Sequence, residues 1–352
     1  MTAQAVLATT GATEELHVKA WTVRHQRPAD QGPLELVEIS DPSPAPDEVL
    51  VEVEACGVCR TDLHIAEGDL PLKKQAVIPG HEVVGRVIEC GANAHRFKVG
   101  DRVGIAWLRS VCGKCTYCRY GMENLCEDPC FTGWNADGGY AEKAVVPEDF
   151  AYLLPEDRPA TRLAPLLCAG IIGFRALKRA SVPEGGTLGI YGFGASAHIT
   201  AQLAIARGAT VHAVTRSEDA RKLALELGCR SAVGPEEEPP DLLDSAIIFA
   251  PAGELVPRAL AALRRGGTLA VAGIYLSDIP PLAYERHLFY ERNLTTVTAN
   301  TRRDGDEFMR VVSRSKLGIV TTPYPFEDAP RALVDLSTDR VRGAAVLQMK
   351  PQ

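Results

Sequence analysis

Two short stretches concentrate groups able to do chemistry: Gly57-Val58-Cys59-Arg60-Thr61-Asp62-Leu63-His64 and, shortly after it, Pro79-Gly80-His81-Glu82. Together they carry a thiol, two imidazoles, a hydroxyl, carboxylates and a guanidinium. A zinc ion that polarises a substrate oxygen needs soft or borderline ligands and one open position. Cys59 and His81 are two candidates of the right type. Either residue alone is more often a packed core side chain, and only their company raises the metal reading. Spacing does not single out the remaining ligand, since Cys56 forms its own C-x2-C with Cys59 and further cysteines follow.

Cys112-Gly113-Lys114-Cys115-Thr116-Tyr117-Cys118 runs on to Cys126 in the pattern C-x2-C-x2-C-x7-C. Four thiols this close can fold back around one tetrahedral ion, and a site closed by four sulfurs leaves no open position, so the zinc expected here is structural. An iron–sulfur cluster is the competing reading. The bacterial ferredoxin run ends in C-x3-C-P, whereas here the last spacing is seven, Cys130 follows Pro129, and no second run occurs.

A third signal lies further along. The apolar strand Leu188-Gly189-Ile190-Tyr191 leads into Gly192-Phe193-Gly194-Ala195-Ser196-Ala197, and a helical run is expected over 198–207. G-x-G-x-x-A between a strand and a helix is the setting for a dinucleotide pyrophosphate: Gly192 for the turn, Gly194 for close backbone approach, Ala197 for helix packing. The next strand, 210–214, ends in Thr215-Arg216-Ser217, with no acidic residue to accept from the ribose 2'-OH of NAD. Thr215 and Ser217 can bond a 2'-phosphate and Arg216 can pair with it, so NADP is favoured over NAD.

These residues must be held by a scaffold. With 352 residues, 46% hydrophobic and 24% charged, two domains of an ordinary globular protein are expected. Residues 34–39 and 49–54 alternate with period two and are broken by Pro and Asp, as antiparallel strands are; more strands follow at 82–89 and around 101–106. Up to about residue 165 the chain reads as an all-β region whose loops carry the site. Beyond it, strand and helix patterns alternate, as in a parallel doubly wound sheet. A net charge of −7 with no basic run excludes a nucleic-acid surface. No apolar run approaches the roughly 20 residues of a membrane span. Without a secretory start, the ten cysteines point to a reducing cytoplasm, with metal ligands or free thiols in place of disulfides.

In these motifs, taken in order, the chain resembles a zinc-dependent alcohol dehydrogenase of the medium-chain dehydrogenase/reductase family, over nearly everything beyond an N-terminal extension at 1–18. The resemblance implies a discontinuous GroES-like all-β catalytic domain (19–165 and 301–352) with an inserted Rossmann domain (166–300). It implies a catalytic zinc held by Cys59, His81 and Cys168, with Glu82 as an intermittent ligand, and a structural zinc at Cys112, Cys115, Cys118 and Cys126. It also implies that the alcohol ionises near neutral pH, that Thr61 and His64 relay its proton to water, and that hydride passes to the nicotinamide. It further implies that Arg60 faces the cofactor pyrophosphate.

Trp107 matches a pocket-wall position of relatives that prefer small primary alcohols, while Leu70 stands where some of them carry a second large aromatic, so a wider pocket is expected. Ala344 occupies a position that is often arginine, so either Arg342 substitutes or that cofactor contact is missing, and His198 reads as a surface histidine at a helix start, with a place near the phosphates as the alternative. The resemblance implies a homodimer or homotetramer acting on a small alcohol or aldehyde. Two other readings compete: a zinc-free quinone or enone reductase of the same superfamily, and a zinc-ribbon binding module with a nucleotide-sensing domain and no turnover.

Overall fold

The computed structural model describes residues 17–350. The expected extension over 1–18 lies outside them except for its last two residues, which already belong to the strand His17–Val23. That strand pairs antiparallel with Leu34–Ser40. The site-bearing sheet is built on the long strand Glu48–Val58, whose apolar residues are nearly all buried. Val83–Cys90, Lys143–Pro147 and Ala344–Gln348 all pair antiparallel with it, and Arg102–Ile105, Ala151–Leu153 and Thr321–Pro325 complete seven strands. The C-terminal strand therefore returns to the first part of the chain, with Ala345 opposite Val58.

The middle of the chain forms a six-stranded sheet, parallel throughout. In space its strands run Ser231–Val233, Thr210–Val214, Thr187–Tyr191, Leu243–Ile248, Leu263–Val271 and Asn293–Thr296. This is the order 3-2-1-4-5-6 of the doubly wound nucleotide fold, in which ligands lie where the strand order reverses. The reversal is at Thr187–Tyr191, beside the glycine-rich turn.

Two expectations are corrected. The stretch 60–67 is the helix Arg60–Glu67 and not a loop. The helix after the fingerprint spans Ala195–Ile205, three residues earlier than the apolar periodicity suggested, because Gly194 serves as its N-cap. No single helix among the described residues is long and apolar enough to cross a membrane.

Candidate active site

Asp62 organises the first cluster. It is the third residue of its helix, and its Oδ2 accepts the amide of Cys59 at 2.8 Å, which fixes the helix start. The same carboxylate accepts from the Gly80 amide at 3.0 Å and the Tyr140 hydroxyl at 3.3 Å, and Oδ1 lies 3.2 Å from His81 Nδ1. One buried carboxylate thus ties Cys59 to His81 across the sequence. With Nδ1–H donating to Asp62, the Nε2 lone pair of His81 is left free; Nε2 is buried without a partner among the described residues.

Cys168 arrives from 109 residues away, directly ahead of the helix Ala169–Ala180, and its Sγ lies 3.9 Å from that of Cys59. Glu82 completes the group. Its carboxylate folds over the backbone at Gly57, where a Cβ would come within 1.8 Å of Oε2, so only glycine fits there. One donor atom each from Cys59, His81, Glu82 and Cys168 falls within 4.8 Å of the others. Two thiols, an imidazole with an unpartnered nitrogen and a carboxylate fit a zinc ion. Cys56 is fully buried and not among the converging atoms.

The electrostatics favour a thiolate at Cys59. The Cys59 thiol is held well below its usual range, first by a hydrogen bond from Cys168 and then, against burial, by His81. Burial raises Glu82. For His81 burial opposes the charge, but Asp62 and Cys59 together outweigh it and the net shift is upward.

Thr61 is nearly buried, with its Oγ1 3.7 Å from Cys59 Sγ. One turn on, His64 lies nearer solvent, its Nδ1 2.8 Å from Asp69 Oδ2 and its ring under Tyr275 at 5.7 Å between centroids. Trp107 meets the His81 ring edge-on at 4.9 Å and stacks on Phe131 at 4.8 Å and Trp134 at 6.0 Å. The Trp134 indole donates to the carbonyl of Pro71, which brings the segment carrying Leu70 to the same aromatic wall.

Cys112, Cys115, Cys118 and Cys126 also bring one sulfur each within 4.8 Å of the others. Backbone amides of Cys112 and Asp128 point at Cys126 Sγ and that of Cys115 at Cys112 Sγ, at 3.3–3.4 Å. Amides from Cys118 and Glu127 lower Cys115 to about 6. Amides aimed at sulfur favour thiolates, as an all-sulfur metal site requires.

At the nucleotide end, Gly192 has φ +86° and its amide donates to Val214. A Cβ at Gly194 would meet nothing within 4 Å, which leaves the helix N-terminus open to a phosphate. Ala197 is fully buried. Ser217 caps the helix Glu218–Glu226, its Oγ accepting from Ala220 N at 3.3 Å. Arg216 is exposed and pairs with Asp339 at 3.3 Å; the same carboxylate holds Arg60.

One sequence expectation fails here. His198 is fully buried, not on the surface. Arg342, the candidate substitute for an arginine at 344, pairs with Glu226 at 2.8 Å. Four residues close to the site went unassigned. Asp62 had a local signal, an acid three residues after a helix start; Asp69 lies five residues after His64 and had a weaker one. Tyr275 and Asp339 reach the site only through folding.

A thiol–imidazole cluster beside a nucleotide-binding sheet defines the class, an oxidoreductase built for a dinucleotide. Models of known families match the two halves: the alcohol dehydrogenase GroES-like domain over 45–156 and the zinc-binding dehydrogenase over 197–314. A Mycobacterium tuberculosis protein named "probable alcohol dehydrogenase AdhA" is 57% identical over 335 residues, 94% of this chain and 97% of its own. Among solved structures, a cinnamyl alcohol dehydrogenase of Sorghum bicolor superposes with a TM-score of 0.86 at 26% identity, covering 96% of this chain and all of its own. A cobalt- and zinc-bound thermostable alcohol dehydrogenase of Pyrobaculum aerophilum does so with a TM-score of 0.86 at 25% identity, over 95% of this chain and all of its own. The chain belongs to the zinc-binding alcohol dehydrogenases of the medium-chain dehydrogenase/reductase family. Its activity is the interconversion of alcohols and aldehydes, and the reductase and binding-module readings are not favoured.

Proposed function

We propose that the protein is a zinc-dependent, NADP-preferring primary alcohol dehydrogenase and aldehyde reductase, of the class EC 1.1.1.1 or 1.1.1.2. The observation that carries this reading is the meeting of Cys59, His81, Glu82 and Cys168 around the unpartnered Nε2 of His81. Cys59, His81 and Cys168 would hold the catalytic zinc, with Glu82 as an intermittent ligand, and the four-cysteine lobe would hold a second, structural ion.

When bound, the zinc supplies Lewis acidity that eases loss of the alcohol's proton near neutral pH, and the nicotinamide supplies the hydride acceptor. Asp62 fixes the tautomer and orientation of the His81 ring. Thr61 accepts the alcohol proton at its Oγ1, and His64, steadied by Asp69, releases a proton to solvent from the outer end of the same helix. Trp107, Phe131 and Trp134 exclude water from one side of the substrate, and Leu70 leaves room for a chain longer than ethanol. Gly192, Gly194 and Ala197 admit the pyrophosphate. Arg60 would pair with it, and Arg216, Thr215 and Ser217 would bind the 2'-phosphate.

We place the catalytic domain at 19–165 and 301–352 and the nucleotide domain at 166–300. This rests on the pairing of Ala344–Gln348 with Glu48–Val58. A homodimer or homotetramer is supported by exposed Phe289, Tyr290 and Leu294 around the edge strand Asn293–Thr296. Ten free cysteines support a cytoplasmic location. Steady-state kinetics on an alcohol and aldehyde panel with both cofactors, before and after dialysis against a chelator, tests the reading. Chelator-sensitive turnover favouring NADPH supports it, and full activity in metal-free protein refutes it.

A further inference from the structure

Arg60, Arg216 and Asp339 come from three separate parts of the chain. Arg60 opens the helix Arg60–Glu67, Arg216 follows the strand Thr210–Val214, and Asp339 lies in the turn after the helix Ala329–Ser337. The two oxygens of Asp339 divide between the arginines: Oδ1 takes Arg60 Nη2, and Oδ2 takes Arg216 Nη2 at 3.3 Å. Asp339 has φ 56°, a left-handed conformation that Asp and Asn adopt more readily than other side chains. A second pair, Arg342 with Glu226, ties the segment just after that turn to the helix Glu218–Glu226.

We propose that Asp339 sets the cofactor selectivity of this enzyme, by holding Arg216 in competition with a 2'-phosphate. The inference rests on the proposed nicotinamide site, with Arg216 at the ribose. In many dinucleotide sites the acid that discriminates against the phosphate stands at the end of the second strand. Here that position carries Thr215-Arg216-Ser217, and an acid arrives from 123 residues further along. With NAD bound, the Arg216–Asp339 pair stays intact. With NADP bound, Arg216 must turn to the phosphate, and Asp339 remains close to a dianion it repels. Arg216 and Asp339 are 84% and 56% exposed, so the pair is weak and exchangeable. The result is graded selectivity, not exclusion. Arg60 is held by the same carboxylate, but the pyrophosphate it serves is common to both cofactors.

Asp339→Asn removes the charge in a residue that tolerates the left-handed turn. Titration of NADPH and NADH by fluorescence, on the metal-loaded protein, reads the effect directly. The variant should bind NADPH roughly two- to fivefold more tightly. NADH should change less, and the gain should shrink as salt rises. In an Arg216→Ala background the NADPH-specific gain should vanish. Equal changes for both cofactors, or a gain that survives without Arg216, overturns the role of Asp339. If Arg216→Ala alone weakens NADPH while Asp339→Asn does nothing, only the Asp339 proposal fails. If Arg216→Ala leaves NADPH unchanged, both it and the NADP-preferring reading of the strand end fail.

Discussion

The carboxylate of Asp62 meets Nδ1 of His81 at 3.2 Å, with both side chains sealed from solvent. Its other oxygen holds the amide of Cys59. Two candidate metal ligands are therefore aligned by one residue that is not itself among the converging donors. Asp62→Asn should lower zinc affinity roughly 10- to 100-fold. It should also cost about 1–3 kcal/mol of stability through weakened charge-assisted bonds. Competition against a chromophoric chelator measures the first effect, and unaltered affinity would show that Asp62 serves the fold alone.

The cysteine lobe is docked, not free-standing. Asn124 donates to the carbonyl of Thr298 at 2.8 Å, and Glu123 takes the amide and guanidinium of Arg302 at 3.1 and 3.0 Å. These contacts lie where the chain returns from the nucleotide sheet. Cys126→Ser should release one zinc per chain and loosen the lobe, because structural zinc contributes folding free energy. Trypsin should then cut faster at exposed Lys114 and Arg119. Wild-type cleavage rates would contradict a metal-dependent lobe.

His198 supplies a pH dependence. Its Nδ1 lies 3.3 Å from the Gly194 carbonyl and its Nε2 accepts the Val320 amide at 3.3 Å, a pattern that needs the neutral ring. Burial lowers its pKa to about 4. Above the unfolded value near 6.5 both states are neutral, and nothing is lost. Between 6.5 and 4 the unfolded chain binds a proton that the folded one refuses, so stability falls with falling pH, by up to roughly 3 kcal/mol. Urea unfolding at several pH values should give a steeper acid decline for wild type than for His198→Gln. Parallel curves would contradict this.

Pocket width is tested at Leu70. Trp134 bonds to Pro71 and stacks on Trp107, so a large ring at residue 70 would close on the same wall. Leu70→Trp should reduce kcat/KM for benzyl alcohol relative to ethanol by about tenfold or more. An unchanged ratio would place Leu70 outside the substrate path.

What the sequence made legible was local. The cysteine spacing, the fingerprint between strand and helix, and the Cys59 and His81 stretches each signal within a few residues. Cys168 could be named only through family resemblance, since nothing around it marks a ligand. The helix at 60–67 departs from the all-β expectation because its polar site residues mask the buried Leu63, Ile65 and Ala66. His198 is buried against expectation because the helix begins at Ala195, which turns the ring inward against Val320. Asp339 and Tyr275 meet the site through tertiary folding, which no local pattern encodes.

The most direct test of the metal centre is zinc content and turnover of Cys168→Ala against wild type. Two zincs per chain should fall to one, with alcohol oxidation abolished and the circular dichroism spectrum unchanged. Two zincs retained, or wild-type turnover with one, would contradict the assignment of Cys59, His81 and Cys168 as the catalytic ligand set.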